Sequence, residues 1–377
     1  MVATAFLDKL VSANYPDYKK SRSLYVSSVT LKSSKEGWMN RSGLSYHLID
    51  RYISTLKTPE RIATFTSAEM VNAYVNNQKI SIKMKFTNAA FWDVLEYDFL
   101  EGKAYTAQQI DGRERVAVIS EKLKNAYFGT QVKAVGKYIE ADNVKYRVSG
   151  VVRNVSVLIE SFSGDMFLPY TIMKADYRKV ELMGSFRIIL LARSAAEVPN
   201  MKEEYNQMLR KVPIGDKQFD ILLVPADSGL ESFTRGYSMG DDSGVAKMIS
   251  VISVLVFIFL LLPTINLVNI NITRIMERSS EIGVRKAFGA SSGTLIFQFL
   301  VENLILTFIG GLLGILFSIL AIYGINHSDF MAGVDLSFNL VVLCSSIVAC
   351  IFFGLLSGVY PAYKMSKIHI VKALKAS

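Results

Sequence analysis

The sequence predicts a membrane protein in which an α+β extracytoplasmic domain is followed by a three-helix α-helical transmembrane region. Three observations carry this reading. Composition shifts near residue 247, from evenly scattered charge to long apolar stretches separated by short charged ones. Three of those stretches are each long enough to cross a bilayer. The links between them alternate between lysine- and arginine-rich and lysine- and arginine-free.

The 377 residues leave room for two or three domains. The net charge of +9 does not point to nucleic acid, because the basic residues before 247 are interleaved with acidic ones and form no patch. Cys344 and Cys350 both lie in an apolar stretch, so no disulfide framework or zinc spacing is present. His47, His327 and His369 are far apart and read as surface residues. The sequence therefore calls for no metal and no cofactor.

Taken in order, Met1–Leu7 is apolar but too short to span a membrane. It reads as the outer stump of a further transmembrane helix, with a buried N-terminal strand or helix as the other reading. Residues 8–246 form the extracytoplasmic domain. Ile80, Ile82, Met84 and Phe86 alternate with Ser81, Lys83 and Lys85, the period of a half-buried strand. Thr87 is the expected cap of a helix carrying Phe91, Leu95 and Phe99 on one face and stopping before Gly102. Arg115–Ile119 reads as a strand, and Ser120 as the cap of a short helix that ends at Gly129. Lys137–Ala141 and Val144–Val152 flank Asp142-Asn143 as a hairpin. Asn200–Val212 reads as helix. No nucleophile–base pair or carboxylate dyad occurs, so no catalytic residue is assigned.

Residues 247–377 form the membrane region, with spans at about 248–273, 295–325 and 338–360 and a tail at 361–377. Each span has roughly 20 or more mainly apolar residues, enough to cross a hydrocarbon core of about 30 Å. Arg274, Arg278, Arg285 and Lys286 follow the first span, and Lys364, Lys367, Lys372 and Lys375 follow the third. The link from Asn326 to Ser337 has no Lys or Arg and carries Asp329 and Asp335. The first link and the tail are therefore cytoplasmic, while the middle link and residues up to 247 lie outside. The chain is predicted to be a multi-pass membrane protein.

Several residues in this region stand out. Pro263 removes a backbone hydrogen bond and is expected to kink the first span. Gly310 and Gly314, and Gly354 and Gly358, form two small-xxx-small pairs, for packing within one subunit or across a dimer. Glu302 lies near the cytoplasmic end of the second span. A bond to a neighbour such as Asn266 or Asn269, or snorkelling to the interface, is favoured over an ion relay, because no second intramembrane charge accompanies it. Between the first two spans, Ser279 or Ser280 can cap a short helix with Glu281 in its first turn. Ile282 and Phe288 are its expected apolar contacts, and Arg285 and Lys286 its exposed face. Gly289 is its stop, and Ser291 or Ser292 can cap the next helix. Periodicity alone leaves a tight positive-inside turn and a docking helix both open.

The segment ERSSEIGVRKAFGASSGTL (Glu277–Leu295), preceded by NLVN (Asn266–Asn269) and followed by FLVEN (Phe299–Asn303), closely resembles the FtsX-like permease domain of MacB-type ABC transporters. GVYPAYKMSKIHIVKALK (Gly358–Lys375) is similar to that family's C-terminal signature. RVAVISEKLKNAYFG (Arg115–Gly129) and VGKYIEADNVKYRVSGVVRNV (Val135–Val155) resemble its periplasmic core domain, and the likeness is looser between about 160 and 246. The resemblance implies four membrane helices in the complete protein, the first ahead of the periplasmic domain. It also implies a homodimeric permease of the bacterial inner membrane, bound to a cytoplasmic ABC ATPase subunit. Residues Glu281, Ile282, Gly283, Arg285, Lys286, Phe288 and Gly289 would form the ATPase-coupling helix. The expected function is export or extrusion of an antibiotic, peptide or lipoprotein, with a periplasmic adaptor or outer-membrane channel as a further partner beside membrane lipids. The alternative is a transmembrane mechanotransmission protein that regulates a cell-wall hydrolase or senses antimicrobial peptides. A receptor without an ATPase is a third reading. No G-x-x-x-x-G-K-[ST] occurs, so nucleotide hydrolysis is expected in a separate subunit.

Overall fold

The computed structural model describes residues 12–75, 78–156, 159–235, 242–327, 336 and 339–366. The expected stump at Met1–Leu7, His369, Asp329, Asp335 and the tail lysines Lys367, Lys372 and Lys375 lie outside them. The chain divides into two compact units at Val245 and Ala246.

The first unit is α+β. Its strands are β1 (Ser23–Val26), β2 (Val29–Lys32), β3 (Met39–Leu44), β4 (Pro59–Thr66) and β5 (Glu69–Val75). They continue as β6 (Gln78–Thr87), β7 (Phe99–Gly102), β8 (Val116–Ser120), β9 (Tyr138–Ala141) and β10 (Val144–Val152). The last are β11 (Met166–Pro169), β12 (Met183–Gly184), β13 (Phe186–Ala192) and β14 (Ile221–Leu223). Along the sheet the order is β14-β2-β3-β13-β4-β6-β11-β8-β10-β7. The pairs β11–β6 and β10–β8 are parallel, which requires crossovers. The helices are α1 (Tyr46–Arg51), α2 (Ala90–Val94), α3 (Ala107–Asp111), α4 (Glu121–Phe128), α5 (Val198–Leu209) and α6 (Gly229–Arg235). Alternating side chains send Ile82, Met84 and Phe86 into one core with Ile119, Leu123 and Val148. Phe65, Phe91, Val118 and Phe167 form a second core. Leu24, Val26, Leu48, Ile188 and Tyr205 form a third. The carboxylate of Asp227 takes Arg235 in a bidentate pair at 2.5 and 2.9 Å, fixing α6 to the loop before it.

Local signals hold at most positions. Ser120 Oγ accepts from Leu123 N at 3.1 Å, and Gly129 closes α4 at φ +89°. Asp142 and Asn143 turn between β9 and β10 with φ of +52° and +59°, the left-handed pair that a two-residue hairpin requires. Asn143→Ala is expected to lower the stability of this unit by about 1 kcal/mol, because alanine tolerates the left-handed region poorly. Unchanged urea unfolding of the variant would refute that.

Two expectations fail. The helix after β6 is only Ala90–Val94, and Phe99–Gly102 is a strand paired with β10. Thr87 belongs to β6, and Asn88 Oδ1 instead accepts from Phe91 N at 3.0 Å. Glu96 N bonds Pro16 O at 2.8 Å, pulling the chain out of helical form after Leu95. At Gly102, with φ +64°, an added Cβ would sit 2.2 Å from Ser149 O, so the close β7–β10 approach requires glycine. The second failure is Lys85, which is not on a wet face but 2% exposed. Its Nζ donates to Ser161 O and lies 5.7 Å from the Phe65 ring. Both faces of β6 are covered here, and period-2 patterning detects only one.

The second unit contains α7 (Val245–Glu277), α8 (Ser279–Ala287), α9 (Ser292–Asn326) and α10 (Leu340–Ser366). Three of these are long and apolar enough to cross a membrane. α7 and α9 begin and end one to four residues outside the expected spans, while α10 begins just inside its span, at Leu340, and runs through Pro361 to Ser366 where a tail was expected. The protein is a multi-pass inner-membrane protein with a large extracytoplasmic domain of mixed α and β structure.

Candidate functional site

The link after α7 is a helix, not a bare turn. Neither Ser279 nor Ser280 caps it, because Arg278 occupies the N-cap position without a side-chain bond. Glu281 sits in the first turn, where it complements the positive end of the helix. It also takes Arg285 Nη2 at 2.5 Å, one turn on. Gly289, at φ +89°, ends the link helix, and Ser291 Oγ caps α9 by accepting from Thr294 N at 3.1 Å. Ile282 and Gly283 are buried. Ile282 packs against Ile275, Leu295 and Phe299, which anchors α8 to the ends of both spans. Phe288 was expected as a second apolar contact but is 89% exposed. Its position just past the last turn turns it away from the Ile282 face. Arg285 is exposed and Lys286 half-buried.

Beside α8 lies a recess of about 70 Å3, lined by Arg274, Ile275, Arg278, Glu281, Arg285, Leu295, Gln298, Phe299 and Glu302 among others. Glu302 pairs with Arg278 at 3.4 Å, and not with Asn266 or Asn269. The second charge that the sequence reading lacked is thus supplied by the link. Arg285 Nη1 also donates to Gln298 Oε1 at 3.1 Å.

A polar cluster that sequence reasoning missed ties the three spans together near their cytoplasmic ends. Asn271 Nδ2 donates to Asn303 Oδ1 at 3.2 Å and to Ser357 O at 3.3 Å. Asn303 Nδ2 donates to Gly354 O at 2.7 Å. All three side chains are buried. Within an apolar bundle such groups need partners, and here each finds one on a neighbouring helix. Asn271 lies one turn before Ile275, so the cluster and the link helix share α7. Asn303 closes the FLVEN segment, which held the only available signal. Asn266 and Asn269 are exposed.

The glycine pairs differ. A Cβ on Gly354 would meet Thr307 Cγ2 at 2.6 Å, and one on Gly358 would meet Asn303 Nδ2 at 2.8 Å. Both lie at the α9–α10 contact. Gly310 and Gly314 have open space around them. Pro263 lies inside α7, which stays helical on both sides. Among the described residues no group of His, Cys, Asp or Glu is placed to hold a metal.

Residues 1–208 match the family model of the MacB-like periplasmic core domain, and residues 253–370 that of the FtsX-like permease C-terminal region. The chain is 23% identical over 315 residues to an uncharacterized ABC transporter permease, YknZ, of Bacillus subtilis, covering 82% of this chain and 74% of that one. It is 27% identical over 328 residues to the pyoverdine export ATP-binding/permease protein PvdT of Pseudomonas aeruginosa, covering 85% and 46%. It is 25% identical over 318 residues to the macrolide export ATP-binding/permease protein MacB of Mannheimia succiniciproducens, covering 84% and 46%. The chain thus spans about half the length of the latter two. The crystal structure of the extracellular domain of YknZ aligns with 53% of this chain and 99% of its own, at a TM-score of 0.40 and 16% identity. With its core-domain match covering more than half of its length and its permease match most of the remainder, this chain belongs to the MacB/FtsX-type family of ABC transporter permeases.

Proposed function

We propose that the chain couples ATP hydrolysis by a cytoplasmic ABC ATPase subunit to movement of its extracytoplasmic domain, and that this movement extrudes a substrate. The observation that carries the reading is α8. Ile282 fixes it to α7 and α9, while Phe288 and Arg285 are exposed at its far end. An exposed phenylalanine beside a cation is a suitable anchor for a partner's pocket. A push on α8 would pass through Ile275 to Asn271 and from there to α9 and α10. The absence of a nucleotide-binding motif in the sequence fits an external energy source. The substrate in this reading is an antibiotic, peptide or lipoprotein, and relatives named for macrolide and pyoverdine export support the export step. The open face at Gly310 and Gly314 suits a homodimer contact, and the extracytoplasmic domain suits a periplasmic adaptor or outer-membrane channel.

Affinity purification of the chain from membranes, followed by mass spectrometry, should recover a P-loop ATPase. Its absence under gentle extraction would end the reading. Arg285→Glu and Phe288→Asp should leave membrane insertion intact and reduce stimulated ATP turnover at least tenfold, as loss of roughly 2 kcal/mol at an interface anchor does. Normal co-purification and turnover in both variants would remove α8 from the contact.

A further inference from the structure

We propose that the recess beside α8 binds the phosphate of an anionic membrane lipid headgroup, with Arg274 as its principal cation. The charge inventory leads there first. The recess is lined by three arginines and two glutamates. Arg278 is held by Glu302 and Arg285 by Glu281, so both carboxylates are engaged. Arg274 is half-buried in the same recess and has no ion pair with any described residue. A partly desolvated guanidinium against an apolar bundle favours an anion beside it. Guanidinium also matches phosphate geometry with two parallel donors.

Shape and setting narrow the ligand. The recess, of about 70 Å3, has room for a phosphate. Gln298 spends its carbonyl oxygen on Arg285, leaving the amide N–H groups to donate into the recess. Ile275, Leu295 and Phe299 form an apolar strip along one wall of the recess. Charged donors with an adjoining apolar strip, at the cytoplasmic end of two membrane spans, fit a headgroup with its acyl chains. Free inorganic phosphate would use the same donors and leave the apolar strip empty. This inference does not depend on ATPase docking.

The test is native mass spectrometry of the delipidated full chain offered phosphatidylglycerol or phosphatidylcholine. Wild-type protein should retain phosphatidylglycerol over phosphatidylcholine. Arg274→Gln should lower phosphatidylglycerol retention about fivefold, the effect of one basic residue at an anionic surface. Arg274→Lys, which keeps the charge, should retain most of it. Equal retention by wild type and Arg274→Gln would overturn the site, as would equal losses in the Gln and Lys variants. Millimolar inorganic phosphate should fail to displace the lipid. Displacement would mean a free-oxyanion site and overturn the lipid assignment.

Discussion

Gly354→Val is expected to part α9 from α10 and to destabilise the membrane unit by about 3 kcal/mol, at the upper end of overpacking effects. The first atom beyond glycine would lie 2.6 Å from Thr307 Cγ2 and 2.7 Å from its Oγ1, inside van der Waals contact. Neither side chain can turn away easily. Thr307 Oγ1 is held by its bond to Asn303 O at 2.8 Å, and Asn303 is bonded to Gly354 O on the other helix. Separating the helices to admit the valine therefore stretches the polar cluster as well. The two cysteines provide the readout. Cys350 is half-buried with its Sγ 3.6 Å from the Cβ position of Gly311, whereas Cys344 is exposed on the same helix. In the variant, alkylation of Cys350 by a membrane-permeant maleimide should accelerate at least tenfold, with Cys344 unchanged as the internal reference.

Two controls make the result specific. Thr307→Ala removes the two nearest atoms and leaves its Cβ at 3.1 Å, so it should return part of the lost stability to Gly354→Val. Gly310→Ala and Gly314→Ala meet nothing within 4 Å and should stabilise their helix slightly, by up to about 1 kcal/mol. No rescue by Thr307→Ala would mean that the close approach is not what requires glycine at 354.

The sequence and the structure agree at most positions where a property is local, the caps expected at Thr87 and at Ser279 or Ser280 being exceptions. Apolar length marks the three spans, and lysine and arginine placement orients them. The Asp142-Asn143 pair marks its hairpin, and Gly289 the end of α8. Disagreement begins where a second layer decides. Lys85 follows the strand period faithfully, but residues 159–163 cover the face that the period assigns to water. Phe99 follows the helical spacing from Phe91, but β10 offers it a ladder instead. In the membrane, Asn266, Asn269, Asn271 and Asn303 are equivalent as sequence. Which of them face other helices depends on how α7, α9 and α10 rotate, and no local pattern specifies that. The Gly354–Gly358 spacing brackets Ser357 and so marked the right face of α10. Its partner on α9 was legible only as the residue after Glu302. The exposure of Phe288 was hidden for a similar reason, since an apolar residue next to a helix end fits equally well inward or outward.

Lys85 yields the other large effect, and it is a pH effect. Burial holds its ammonium down to about 7, with Arg187 and Lys83 adding repulsion and Glu160 opposing it. In the unfolded chain the group keeps its ordinary value of 10.5. Below about pH 7 both states carry the proton, and the folded state bears the full penalty of a buried charge. Between the two values the unfolded chain holds a proton that the folded chain has released, so stability rises with pH. The increase from pH 7 to pH 9 should be about 2 kcal/mol, since each tenfold change in proton activity is worth about 1.4 kcal/mol. Lys85→Met fills the same space without the charge. It should be more stable than wild type at pH 6.5 by about 2 kcal/mol, after allowing for the lost bond to Ser161 O, and should lack this part of the slope. The measurement can use the intact chain, because its two tryptophans, Trp38 and Trp92, both lie in the extracytoplasmic unit and report its unfolding alone. Trp92 packs against Tyr97, Tyr105 and Phe167, so its emission should shift red as that core opens. Parallel pH profiles for wild type and Lys85→Met would show that the ammonium finds an anion or water inside the fold. A slope lost only in the variant would locate the titration at Lys85.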